Sequence, residues 1–299
     1  WDEWRQSRIA RQRECGLLQP GNKPAPQSDS IHRWIDDPDK EWQAERMATY
    51  AAQISNVDRG VGRMLEVLRN SDAERNTLVL FLSDNGAAPD GGLRPTDSGF
   101  GFSPQSNNSD WRTDGVAIKP GSGPELLPGP HDTFAAYGLA WATTSNTPLR
   151  DTKQSAYEGG IRTPLIARWP AVIKTGGDLT RQPGHVIDIM ATSLDVAGID
   201  YPSEFQGRRP IPMEGMSLAP IFRGQERHGH EILAWHCSRG RAIRSGPWKL
   251  VRPVDDRDWE LYNLTDDPGE TNNLTEEFPD RVSMMTKEYE AWRLRVGAE

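Results

Sequence analysis

The chain has 299 residues, 35% of them hydrophobic, with 28 glycines, 23 prolines and a formal net charge of -8. That length suits one large domain with an appendage or two ordinary domains, and so much Gly and Pro implies long irregular connections. The negative charge argues against a nucleic-acid reader, which needs a basic stripe to displace counterions, and no apolar run reaches the roughly 18 residues of a membrane span.

Residues 1–18 are rich in charge, with Arg5, Arg8, Arg11, Arg13 and Glu14, and read as an exposed helix ending near Gly16. Pro20 to Ser30 is a turn-rich connector. From Trp42 to Leu68, the positions Met47, Tyr50, Ile54, Val61, Met64, Leu65 and Leu68 recur at three- and four-residue steps. That spacing predicts a long amphipathic helix laying one face on a sheet. Thr77 to Leu82 is a continuous apolar run, as expected of a parallel strand covered on both faces. From Ala87 to about Ser145 there is little periodicity, which predicts a long loop.

Thr163 to Trp169 is a second short strand. His185 to Ala197 is predicted helical, with Val186, Ile189, Met190, Leu194 and Ala197 inward and Gly198 as the stop. Beyond residue 225, the stretches Glu231–Trp235, Arg241–Arg244, Trp248–Arg252 and Trp259–Leu264 are short strands joined by tight turns, a pattern that predicts an antiparallel meander. A closing helix enters through Pro279 and carries Val282, Met285, Tyr289, Trp292 and Val296. The expected architecture is α/β: part of a mixed, mainly parallel central sheet with flanking helices over residues 1–224. A small α+β subdomain with a short antiparallel sheet follows over 225–299.

Two places could carry chemistry. Asp84 and Asn85 stand at the end of the first strand, where open α/β sheets bind ligands, and offer hard oxygen donors suited to Ca²⁺ or Mg²⁺. The plainer reading is that Asp84-Asn85-Gly86 ends a strand with good turn formers. Lys153 precedes Tyr157-Glu158-Gly159-Gly160 and could carry an ammonium to an anionic oxygen, or it is a solvated loop lysine. The six histidines form no i, i+4 metal pair. Cys15 and Cys237 belong to no CxxC pair or zinc spacing.

Leu80-Phe81-Leu82-Ser83-Asp84-Asn85-Gly86-Ala87 resembles the metal-binding strand end of the type I sulfatases, within the alkaline phosphatase superfamily. Ser145 to Arg150, Lys153 and Tyr157 to Ile166 resemble a second block of that family, in a form similar to arylsulfatases of bacterial type. Gly184 to Ile189, Ala242-Ile243-Arg244 with Trp248-Lys249-Leu250, and Glu260 to Leu264 with Asp267-Pro268 and Glu270 resemble its later landmarks, in the same order. The resemblance implies a sulfuric ester hydrolase acting on a small-molecule or carbohydrate sulfate ester. It implies that Asp84 and Asn85 bind a divalent metal, usually Ca²⁺ (Mg²⁺ also fits), and that Lys153 contacts a sulfate oxygen. It also implies a periplasmic or secreted location.

The family's nucleophile is a formylglycine made from a Cys/Ser-x-Pro-x-Arg motif early in the chain. Here Cys15 is followed by Gly-Leu-Leu and Cys237 by Ser-Arg-Gly. The sequence opens on Trp1 without the features of a signal peptide. The expectation is therefore a C-terminal portion that lacks the nucleophile segment and is inactive alone. The alternatives are a truncated fragment or binding module, and a phosphatase or phosphonate hydrolase of the same superfamily. Asn107, Asn263 and Asn273 fit Asn-x-Ser/Thr, which matters only in a eukaryotic secretory pathway.

Overall fold

The computed structural model describes residues 1–90, 114–117, 119, 123–133, 136–253 and 257–298. In chain order the elements are α1 (Asp2–Glu14), α2 (Lys40–Asn70), β1 (Val79–Leu82), α3 (Gly138–Asn146), α4 (Glu158–Ile161), β2 (Leu165–Arg168), α5 (Asp188–Ala197), α6 (Ala219–Phe222), β3 (Leu233–Cys237), β4 (Gly240–Ser245), β5 (Trp248–Pro253), β6 (Glu260–Asn263) and α7 (Pro279–Val296). They fall into two compact units. One comprises residues 1–63, 85–162 and 234–299, and the other residues 64–84 and 163–233. The meander belongs to the first unit, with α1 and α3.

The first unit is organised by the four-stranded sheet β3-β4-β5-β6. β5 pairs antiparallel with both β4 and β6, as the tight turns predict. Ile243, Leu250 and Leu261 lie in one register line and are fully buried. Residues two apart share a face of a strand, so the opposite face carries Ala242, Arg244, Lys249, Val251, Glu260 and Tyr262. On that face Ala242, Val251 and Tyr262 form a core cluster with Ala156 and Tyr157 of the loop before α4. α7 packs on β4 and β5 and buries Met285 and Tyr289. Pro sits in its first turn, where its missing N–H costs nothing, and Gly297 ends it at φ 68°.

α1 stops as expected, with Gly16 at φ 71°, and packs on α3. Trp1, Trp34 and Trp141 meet there at centroid distances of 5.0–5.8 Å. Arg5 is buried and donates to Thr147 Oγ1 at 2.9 Å and to the carbonyl of Ala25. α3 is a correction to the loop expected from Ala87 to Ser145. Its small, weakly patterned residues hide the helical period, and Thr143 and Thr144 hydroxyls are spent on carbonyls one turn back, both at 2.8 Å. The rest of that expected loop falls largely on residues 91–113, outside the described residues, as does Asn107.

In the second unit β1 and β2 form a two-stranded antiparallel pair running from Val79↔Arg168 to Leu82↔Leu165. The α/β class holds, but among the described residues the expected mainly parallel sheet is not seen. An apolar run reports burial, not strand direction, and here Phe81 is 47% and Ile166 60% exposed. α5 ends on Gly198 at φ 66°, as the sequence predicts, but its inward face differs. Asp188, Ala191 and Thr192 are buried while Val186 and Met190 are exposed. α2 crosses the division between the units at Arg63/Met64, and its buried residues are Trp42 and Arg46 rather than the apolar stripe. Among the described residues no helix is long and apolar enough to cross a membrane.

Candidate functional site

β1 closes at Leu82, and the Ser83 carbonyl accepts the Thr163 hydroxyl at 2.8 Å. Asp84, exposed, is the last residue of its unit's segment, and Asn85, half-buried, opens the other's. From Gly86 onward the backbone is tied to the loop before β2. The Gly86 amide donates to the Gly160 carbonyl at 3.0 Å, and the Lys153 amide donates to the Ala87 carbonyl at 2.9 Å. The Ala87 amide donates to Asn146 Oδ1 at 2.9 Å. Asn146 in turn donates through Nδ2 to the carbonyls of Asp151 at 2.9 Å and Gly159 at 2.8 Å.

This crowding explains the Gly-Gly pair. A Cβ on Gly86 would run into the carbonyl oxygen of Gly159, and one on Gly159 into the carbonyls of Arg150 and Asp151. A Cβ on Gly160 would meet the carbonyls of Thr152 and Ser155. The loop doubles back through left-handed Asp151 (φ 67°) and Gln154 (φ 74°), with half-buried Lys153 between them. Of the residues singled out in the sequence, Lys153 is thus tied through its amide to Ala87, two residues beyond Asn85.

Beneath the loop lies a set of polar contacts that the sequence reading missed. Lys249, with no exposed surface, stands 2.9 Å from Glu158 Oε1 and 2.8 Å from Glu270 Oε1. Glu270 Oε2 accepts the Glu158 amide at 2.7 Å. Burial penalises the Glu158 carboxylate, but Lys249 and Arg162, the latter 3.5 Å away, outweigh it and hold the carboxyl below its ordinary value. Burial pushes Glu270 up to about 7, with Lys249 opposing and Glu158 adding to the rise. The sequence carried two signals, a lysine set among the apolar residues of β5 and the place of Glu158, Lys249 and Glu270 in family blocks, but neither says that the three meet.

A second contact set holds the same loop. Arg150 lies 4.0 Å over the Tyr157 ring and donates to Tyr262 Oη at 2.9 Å and to the Glu270 carbonyl at 3.0 Å. Both phenols donate to Glu260 Oε2, Tyr157 at 2.5 Å and Tyr262 at 2.6 Å. Burial, then the bond to Glu260, raises both phenol pKa values, so the phenols stay protonated as donors.

Two further buried or half-buried titratable groups, Asp188 and Cys237, are held by local contacts. Asp188, fully buried, accepts from the amides of Met216 and His185, each at 2.9 Å, from Arg227 at 3.0 Å, and pairs with His230 at 2.6 Å. Cys237 Sγ donates to the Gly240 carbonyl at 3.2 Å, and burial raises its thiol pKa. Among the described residues no group of three or more His, Cys, Asp or Glu is gathered to hold a metal. Asp84 and Asn85 fit an oxygen-preferring divalent cation in donor type, but two side chains are a fraction of the roughly 6–8 oxygens of calcium.

The model of the Sulfatase family matches residues 22–199. The chain belongs to the sulfatase family. The model of the C-terminal part of N-sulphoglucosamine sulphohydrolase matches residues 151–293, which includes α4, the meander and most of α7. An uncharacterized sulfatase of Schizosaccharomyces pombe is 29% identical over 99% of this chain and 52% of its own length. A sulfatase of Formosa agariphila is 30% identical over 84% of this chain and 40% of its own. An arylsulfatase of Klebsiella aerogenes is 31% identical over 72% of this chain and 43% of its own. The chain therefore spans about half the length of such relatives, or less.

Among solved structures, Ps i-CgsB in complex with k-i-k-neocarrahexaose superposes with a TM-score of 0.56 at 22% identity, covering 90% of this chain and 48% of that one. A 2-O GAG sulfatase gives 0.52 at 19%, covering 96% and 57%. These likenesses establish the sulfatase α/β fold.

Proposed function

We propose that the protein hydrolyses sulfate esters, with this chain gripping the sulfate and supplying part of a metal site. The observation that carries the reading is the hydrogen bond from the Lys153 amide to the Ala87 carbonyl, 2.9 Å long. It holds the proposed sulfate-contacting lysine beside the segment that Asn85 begins. As the ester S–O bond breaks, negative charge is redistributed over the departing and the sulfuryl oxygens, and groups already in place must balance it on each. The Lys153 ammonium is a compact point charge suited to one such oxygen. Its backbone, pinned on both sides, limits the reorganisation needed to present it.

Asp84 and Asn85 are the residues we propose to hold a divalent cation, Ca²⁺ by family resemblance. When bound, such a cation polarises the ester and lowers the charge on its oxygens. The remaining ligands and the attacking formylglycine are proposed to come from outside these 299 residues, since neither cysteine stands in Cys-x-Pro-x-Arg. The proposed substrate is a small-molecule or carbohydrate sulfate ester. The latter is the class named by the N-acetylgalactosamine-6-sulfatase of Mus musculus, 26% identical over 74% of this chain. An exported location is proposed on the same family grounds.

The test is sulfate release from an aryl sulfate and from sulfated amino sugars by the full-length protein, with and without a chelator. Release that is chelator-sensitive and falls in Lys153→Ala supports the reading. Release indifferent to Lys153→Ala, or none from any ester with calcium supplied, overturns it.

A further inference from the structure

Every polar tie just described, from the meander to the site loop, leaves one face of the sheet. Lys249 pairs in register with Tyr262, and Val251 with Glu260, so Lys249, Glu260 and Tyr262 project to the same side. The Lys249 ammonium meets the carboxylate of Glu158, the first residue of α4. The next two residues, Gly159 and Gly160, offer their carbonyls to Asn146 and to the Gly86 amide at 2.8 and 3.0 Å. A continuous run of short contacts therefore leads from Lys249 through the Glu-Gly-Gly turn to the segment carrying Asn85 and to Lys153.

A lysine buried between two carboxylates is a poor way to gain stability, because each ion gives up its hydration and an apolar side chain of like volume often does as well. What an apolar residue cannot do is hold the Glu158 carboxylate, and with it the start of α4, at one point. Arg162 reaches the other oxygen of Glu158 from the exposed side at 3.5 Å, and Arg244 adds positive potential nearby. Glu158 thus does not depend on Lys249 for charge balance alone. Glu270 completes the grip by accepting the Glu158 amide at 2.7 Å, while its own carbonyl takes the Arg150 guanidinium at 3.0 Å.

We infer that Lys249, with Glu270, is a positioning residue for the sulfatase site: it fixes the Glu158-Gly159-Gly160 turn and through it the placement of Asn85 and Lys153. This inference rests on the reading that those two residues serve sulfate-ester hydrolysis. Lys249 touches neither of them. Its effect on the reaction passes through the Glu158 ion pair and then through the hydrogen bonds made by the Gly159 and Gly160 carbonyls.

The experiment compares the full-length protein with Lys249→Met and Glu270→Gln by steady-state kinetics on an aryl sulfate and by amide hydrogen exchange. Lys249→Met is expected to lower kcat by roughly tenfold or more with KM within about twofold, the mark of groups misplaced for the transition state rather than for binding. Exchange at the Gly86 and Lys153 amides should rise while amides of α7 keep their protection. Glu270→Gln, which retains an acceptor for the Glu158 amide, should show the same pattern more weakly, and it decides the matter if Lys249→Met does not fold. Unchanged exchange at Gly86 and Lys153 in a folded variant overturns the inference. So does exchange that rises equally through α7, the sign of a merely structural role. A wild-type protein that releases sulfate from no ester removes the functional reading alone, and the exchange comparison still decides the positioning.

Discussion

Asn146 Nδ2 donates to the carbonyl of Gly159 at 2.8 Å. The same side chain donates to Asp151 O and accepts from the Ala87 amide, so one carboxamide joins the end of α3, the site loop and the segment after Asn85. Asn146→Ala leaves two carbonyls and an amide without these partners, and a buried polar group left unsatisfied costs about 1–3 kcal/mol. We expect a fall of that order in unfolding free energy. Sulfate release should fall more than the stability loss alone explains. Asn146→Asp keeps the acceptor but sets a carboxylate oxygen against the Asp151 and Gly159 carbonyls, so it should lose at least as much. Denaturant melts beside an aryl sulfate assay check both, and a fully active Asn146→Ala would sink the idea.

The crowding at the Gly-Gly turn makes a sharper prediction. Gly86→Ala sets a methyl against the Gly159 carbonyl, a backbone atom that cannot swing aside, whereas a Cβ on Gly176 meets nothing within 4 Å. Gly86→Ala should abolish soluble expression or lower the melting temperature by several degrees. Gly176→Ala should change stability by no more than about 0.5 kcal/mol, as for an ordinary surface site. Equal melting curves for the two variants would refute the close approach.

Much of this fold was legible because its signals are local. Gly16 and Gly198 stop helices where a left-handed residue is needed, Pro279 starts one, and the turns of the meander fix its antiparallel order. What the sequence hid was tertiary. The run at Thr77 to Leu82 does not say which way its neighbour runs. The apolar positions of α2 and α5 say that a face exists, not that Ile54, Met64, Val186 and Met190 lie exposed in this chain. Asp84 and Asn85 stood out at a strand end and Lys153 before a Gly-Gly turn, but only the family blocks gave them roles. Lys249, Glu158 and Glu270 carry the charges ordinarily assigned to surface, and only the structure shows them buried together.

Asp188 offers a stability prediction in the second unit. Its carboxylate takes Arg227 at 3.0 Å and His230 at 2.6 Å, and the Arg227 side chain is only 4% exposed. Asp188→Ala strands that guanidinium without its counter-charge, and breaking a buried ion pair from one side costs about 3–5 kcal/mol. Asp188→Asn preserves acceptors for part of the set and should cost less. Urea melts give both numbers, and a loss under about 1 kcal/mol for Asp188→Ala would mean that the cluster is hydrated.

The Glu270–Lys249–Glu158 cluster makes stability depend on pH in opposite senses for its two acids. Glu270 rises from 4.5 to about 7 on folding, so between those values the folded chain holds a proton that the unfolded chain has released. Unfolding free energy changes with pH in proportion to protons bound in the unfolded state minus those bound in the folded state. That difference is negative for Glu270 here, and its contribution falls as pH climbs from 4.5 to about 7. Glu158 is depressed, so its contribution is fully present above its unfolded value and is lost as pH drops through its folded value. Glu270→Gln deletes the first effect and leaves the second. Melts of the wild type and Glu270→Gln across pH 4 to 8 should therefore diverge, with the wild type losing stability toward neutrality relative to the variant. Parallel curves would mean that Glu270 is already ionised in the folded protein at the acid end of that range.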